Sequence, residues 1–142
     1  MSLELNLPTQ EVPPWRRHGV STGRRILIVE DEMFVAMDIE LVVEKAGHQV
    51  VGFAGTADRA VALADELHPD LVLMDIRLRG ERDGVDAAIE IRQRFDIPSL
   101  IISAFSDAPT RERAGPAQVL GFISKPFDRA RLEIALNGGL KP

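Results

Sequence analysis

Cysteine is missing from all 142 residues, which removes disulfides, thiolate zinc sites and thiol nucleophiles together. A reducing compartment is compatible with that absence. Long apolar runs are missing too: none approaches the roughly 20 residues that a membrane span needs. The N-terminus lacks the basic-then-apolar pattern of a signal peptide, so a cytoplasmic protein without a membrane partner is expected. Positive charge is in deficit, with 17 Lys and Arg against 22 Asp and Glu and a net charge of -5. Nucleic acid is therefore not expected as a direct partner. The three histidines, His18, His48 and His68, fall on the tail, a turn and a helix end, a scatter that suits neither a metal cluster nor a phosphoaccepting histidine. What is plentiful is apolar: 45% of the residues are hydrophobic, enough for one buried core in a chain of single-domain length.

Residues 1–23 stand apart, with Pro8, Pro13, Pro14, the basic pair Arg16-Arg17 and the only tryptophan, and without periodicity. They read as a flexible or loosely docked arm, in which Met1-Ser2-Leu3 is equally readable as an expression scar. Residues 24–138 read as one domain and 139–142 as a short tail. Apolar β-branched runs predict strands over 26–29, 50–53, 71–74, 97–102 and 120–124. Helical spacing fills 32–46 up to Gly47, then the stretches opened by Thr56, Asp83 and Asp128 as N-caps, running to about Leu67, Phe95 and Asn137. Between 106 and 118, Pro109, Gly115 and Pro116 limit any helix to one or two turns.

Strands apolar on both faces, alternating with helices, predict a parallel sheet covered on both sides. Right-handed crossovers make this a doubly wound α/β domain with helices on both faces, and five units suit the flavodoxin-like strand order 2-1-3-4-5. Ligands of such sheets bind at the carboxyl ends of the strands where the order reverses, here between the first and third strands. Glu30-Asp31 follow the first strand and Asp75 follows the third. Each acid alone is readable as a helix cap or a solvated carboxylate. Together they crowd like charges, for which a raised pKa or a bound cation is the usual remedy, and a hard all-oxygen site suits Mg²⁺. The fourth strand ends at Ser103 and the fifth at Lys125-Pro126, so a hydroxyl and an ammonium reach the same rim. An ordinary strand-end serine and a solvated lysine are the alternatives.

In this order and spacing, Glu30-Asp31 after ILIV, Asp75 in LVLMDIRL, Asp83-Gly84, Ser103-Ala104 and Lys125-Pro126-Phe127 resemble a response-regulator receiver domain, CheY-like, of two-component signalling. The resemblance runs from about Arg24 to Leu136. It implies that Asp75 is the phosphoacceptor, taking a phosphoryl group from a sensor histidine kinase or phosphotransfer protein. It also implies Mg²⁺ held by Asp31 and Asp75, by Glu30 largely through water and by the Arg77 carbonyl. Lys125, the Ser103 hydroxyl and the Ala104 backbone N–H would then hold the phosphoryl oxygens. The Lys125–Pro126 bond would be cis, and Ser103 and Phe122 would form the switch. Phe122 is equally readable as a core aromatic that never moves. The resemblance further implies a signalling domain that is not an enzyme but assists its own phosphorylation and slow dephosphorylation. Its output would pass to a downstream protein target or a separate output domain, with the fourth helix, fifth strand and fifth helix as a possible homodimer face.

The chain departs from the family in the loop IRLRGERDG, which is one residue longer than usual and lacks the customary proline. Arg77 and Phe105 flank the route of the hydrolytic water and are expected to slow it; alternatively Arg77 joins Arg79 and Arg82 in a solvated basic cluster. No output domain is expected within the 142 residues, so the chain is either a stand-alone receiver or one excised from a longer protein. A dehalogenase-type phosphatase needs a second acid where Arg77 stands, and a flavodoxin needs a phosphate loop where the acidic EDEM stands. The rival from another class is a degenerate receiver acting as a phosphorylation-independent binding scaffold.

Overall fold

The computed structural model describes residues 23–104 and 107–139, so the arm up to residue 22, Phe105 and the tail from 140 lie outside the described residues. The strands are β1 (Arg25–Val29), β2 (Gln49–Ala54), β3 (Leu71–Met74), β4 (Ser99–Ser103) and β5 (Phe122–Ser124). The helices are α1 (Met33–Lys45), α2 (Ala57–Leu67), α3 (Gly84–Phe95), α4 (Ala108–Arg113) and α5 (Arg129–Ile134). The sheet is parallel throughout, in the expected order β2-β1-β3-β4-β5.

The strands are apolar on both faces because alternate residues feed two separate cores. Leu27, Val29, Val72, Met74 and Ile101 meet the alanine-rich faces of α2 and α3 on one side. Ile26, Ile28, Leu71, Leu73, Leu100 and Ile102 meet Ile39 and Val43 of α1 and Leu132 of α5 on the other. A one-residue slip of any strand would exchange these sets, so the register is tightly fixed.

Local chemistry sets most boundaries. The Thr56 hydroxyl accepts from the Arg59 N–H at 3.0 Å, and Asp83 forms a capping box with Asp86. Asp128 accepts from the N–H groups of Ala130 and Arg131. Gly47 takes φ +92 just past α1, the left-handed turn that glycine adopts without strain. Three boundaries differ from expectation. β4 begins at Ser99 because Pro98 has no N–H to donate, although its carbonyl still accepts from Val72. β5 starts at Phe122 rather than at 120. The last helix stops at Ile134 and widens into a turn over Ala135–Gly139, where Gly138 takes φ +88.

Residues 107–118 form the short α4 and a 3₁₀ turn at Gly115–Ala117. α4 buries none of its residues; the chain is anchored just after it by Ala114 and Ala117. His48, just past the turn at Ala46–Gly47, is buried. Its Nδ1 accepts from the Arg24 N–H at 2.9 Å and its Nε2 lies 3.1 Å from Asn137 Oδ1.

Candidate functional site

Neighbouring strands deliver the acids to one place. Val29 and Met74 are partners across β1 and β3, so the residues that follow them emerge side by side. The Asp75 N–H donates to the Val29 carbonyl and the Glu30 N–H to the Ala54 carbonyl, each at 2.9 Å, which holds both acids to the sheet edge. One carboxylate oxygen from each of Glu30, Asp31 and Asp75 lies within 4.8 Å of the others. The Glu30 and Asp75 side chains are 1% and 8% exposed. Such a donor set, oxygen only and rich in negative charge, fits a hard divalent cation.

Lys125, just after β5, extends into this cluster. Its Nζ donates to Glu30 Oε1 at 2.6 Å and to Asp75 Oδ2 at 3.2 Å. The other Glu30 oxygen accepts from the Glu32 N–H at 3.1 Å, so Glu30 also holds the start of α1. Burial pushes the Glu30 carboxyl above its ordinary range; the Lys125 ammonium and the Glu32 N–H oppose this, while the Asp75 charge adds to it. Burial works to lower the Lys125 pKa but is outweighed by its bond to Glu30 and the fields of both acids, which hold the ammonium charged. The bond from Lys125 to Pro126 is cis, as expected.

Ser103 is buried at the end of β4, and Ala104 follows it at the same rim, exposed. Phe122 lies three residues before Lys125, half-buried against the α2–α3 side of the sheet. The Arg111 guanidinium sits 4.3 Å above its ring, a cation–π contact from α4. Arg77 is exposed in the loop after Asp75.

Arg79 and Arg82 of that loop turn to different acids rather than into one solvated cluster. Arg79 pairs with Asp31 at 4.0 Å, and its backbone bridges to Thr56 in parallel. Arg82 turns away to Glu90 and to Asp58. Arg113 of α4 pairs with Asp83 and, at 3.3 Å, with Asp86. These contacts span loops or distant segments and carry no local sequence signal; the missing loop proline was the one hint. Gly84 is required by close approach, since a Cβ there would stand 1.8 Å from the Asp75 carbonyl oxygen. The acidic pair also floors a cavity of about 420 Å³ walled by Met33, Met37 and Phe53, with Arg79 at its edge.

A five-stranded parallel sheet that gathers an acidic pair, a strand-end aspartate and a lysine at one edge defines a receiver fold. The family description "Response regulator receiver domain" matches residues 26–137, and the chain belongs to that family. It is 41% identical over 104 residues to the transcriptional regulatory protein PdtaR of Mycobacterium tuberculosis, covering 73% of this chain and 50% of that protein. It is 38% identical over 116 residues to the chemotaxis protein CheY of Thermotoga maritima, covering 81% of this chain and 96% of CheY. A solved structure of a variant of the anti-anti-sigma factor PhyR from Bartonella quintana superposes with TM-score 0.69 at 36% identity, covering 82% of this chain and 48% of that one. The chain thus spans about half the length of PdtaR and PhyR and nearly all of CheY. Among the described residues no helix is long and apolar enough to cross a membrane.

Proposed function

We propose that the unit 24–138 accepts a phosphoryl group on Asp75 from the phosphohistidine of a sensor histidine kinase or phosphotransfer protein, and signals through the change that follows. The observation that carries this reading is the buried Asp75 carboxylate, with a lysine ammonium 3.2 Å away and two further carboxylates beside it. An Asp75 oxygen attacks phosphorus in line as the P–N bond of the donor breaks. The released electron pair stays on the imidazole, which then takes up a proton. Lys125, held charged by its neighbours, swings from Glu30 and Asp75 onto a phosphoryl oxygen, and the Ser103 hydroxyl and Ala104 N–H take others.

Asp31, Asp75 and the Arg77 carbonyl are the groups that would hold Mg²⁺ directly. Glu30 would reach it through water, a role supported by the engagement of both its oxygens with Lys125 and Glu32. When bound, the ion offsets the negative charge of the carboxylates and the incoming phosphoryl group.

Drawing Ser103 towards the phosphate vacates space beside β5 for Phe122. Its ring would then leave Arg111 and shift the face formed by α4, β5 and α5, the candidate surface for a homodimer or a downstream protein target. A protein reader is supported by PhyR, named an anti-anti-sigma factor. The domain acts in the cytoplasm as a phosphoacceptor rather than as an enzyme. Incubation with acetyl phosphate and Mg²⁺, followed by intact mass, tests the reading. The expected gain of one phosphoryl group disappears in Asp75→Asn and on chelation. No gain, with hydrolysis of the aspartyl phosphate prevented, would favour the scaffold reading instead.

A further inference from the structure

Three carboxylates meet at the site, opposed by two different cations. Lys125 spans Glu30 and Asp75, whereas Asp31 is faced by Arg79. Arg79 reaches it from the lengthened loop after β3. The loop folds back so that the Arg79 backbone bridges to Thr56, the N-cap of α2, and Gly80 at φ +95 turns the chain onward. The bridge is made by backbone, so Arg79 is held at the mouth of the acidic cluster whatever its side chain does. That side chain is 77% exposed and its Nε stands 4.0 Å from Asp31 Oδ2, while the Asp31 side chain is 22% exposed. A cation entering from solvent to meet Asp31 therefore passes beside the Arg79 guanidinium.

We propose that Arg79 is a positioning residue that sets the affinity of the acidic site for its divalent cation, standing in for the ion on Asp31 and opposing its entry. The inference rests on the metal-binding role proposed for Asp31. Two effects act in the same direction. The ion must displace the Arg79–Asp31 pair, and once bound it remains within a few ångströms of the guanidinium charge. Screened by water and salt, such a contact is worth about a three- to tenfold change in dissociation constant. The surrounding carboxylates are untouched, so the effect is confined to affinity.

The test is a titration of the metal-free protein with Mn²⁺, read by loss of the free-ion EPR signal, with Mg²⁺ as competitor. Arg79→Ala is expected to bind both ions about three- to tenfold more tightly than the unaltered protein, Arg79→Glu more tightly still, and Arg79→Lys within about twofold of it. The gain for Arg79→Ala should shrink as salt is raised. Equal or weaker binding by Arg79→Ala, with binding still abolished by Asp31→Asn, would overturn the inference and leave the metal reading standing. No saturable binding by any of the proteins, or full binding by Asp31→Asn, would overturn both.

Discussion

Replacing Lys125 by methionine isolates what its ammonium does before any phosphate arrives. Methionine keeps an apolar stem of similar length but takes the cation away from Glu30, at 2.6 Å, and from Asp75, at 3.2 Å. Removing one partner from a buried pair costs about 3–5 kcal/mol when the remaining charge is trapped. Glu30 is not fully trapped, because burial already raises its pKa above the ordinary 4.5 and the carboxyl can take up a proton. At pH 7, about 2.5 units above that value, protonation costs about 3.4 kcal/mol, which caps the share of the loss that Glu30 carries. At pH 5.5 the cap falls to about 1.4 kcal/mol. The sign follows from linkage: a carboxyl protonated when folded and ionised when unfolded gives stability at acid pH, and that stability is lost as pH rises through the folded pKa. Urea denaturation of metal-free Lys125→Met at the two pH values should therefore show a deficit that grows towards neutrality. The double variant Glu30→Gln/Lys125→Met should recover the share that Glu30 carries, because that buried charge is then gone while Asp75 keeps its own. A deficit independent of pH, or a double variant as unstable as the two single losses combined, would refute the reasoning.

Gly84→Ala should lose about 1–3 kcal/mol and most of its phosphorylation by acetyl phosphate, because the new methyl meets the Asp75 backbone, which has no rotamer to yield; chemical denaturation and intact mass read the two effects. Arg113→Ala should cost about 1 kcal/mol or less at pH 6, as expected of a partly exposed pair, and the deficit should fade in acid. Burial tends to raise the Asp83 pKa but is outweighed by Arg113 and the Asp86 N–H, so the carboxyl sits below its ordinary 3.8. Its contribution is present above 3.8 and lost as pH falls through the lower folded value; thermal melts from pH 6 downwards should show the two proteins converging. Arg77→Ala should speed loss of the phosphoryl group from Asp75, measured by intact mass over time after removal of the donor. An unchanged rate removes Arg77 from the path of the water.

The fold was legible wherever a local rule decided it. Thr56, Asp83 and Asp128 cap their helices with their own side chains, and Gly47 and Pro69 lie where helices end. The core of the site was legible for a related reason. Short apolar runs end abruptly in acid, and strand order alone brings Glu30, Asp31 and Asp75 together. The arginine contacts were not legible. Arg113 meets Asp83 across 30 positions, and Arg79 meets Asp31 only because its loop bridges to Thr56. A long, flexible cation has no periodicity and several acids within reach, so tertiary geometry alone selects its partner. The burial of His48 was not legible either: two polar partners from opposite ends of the chain, Arg24 and Asn137, satisfy its ring in the interior.

The sheet edge and the loop beside it are constrained differently in this receiver domain. Strand ends fix the carboxylates and the lysine, and shifting any of them means shifting the sheet register that sorts the two cores. The loop between Asp75 and Gly84 carries no such constraint. Its residues from Arg77 to Arg82 are exposed or half-buried, yet it sets Arg77 two positions after Asp75, Arg79 against Asp31 and Arg82 across to α3. Changes there should cost folding little, because surface substitutions away from caps and buried networks usually stay within about 0.5 kcal/mol. If the loop sets these quantities, Arg77→Ala and Arg79→Ala should change phosphate lifetime and metal affinity separately while leaving urea midpoints alike. A shared shift in all three would place the control in the sheet instead.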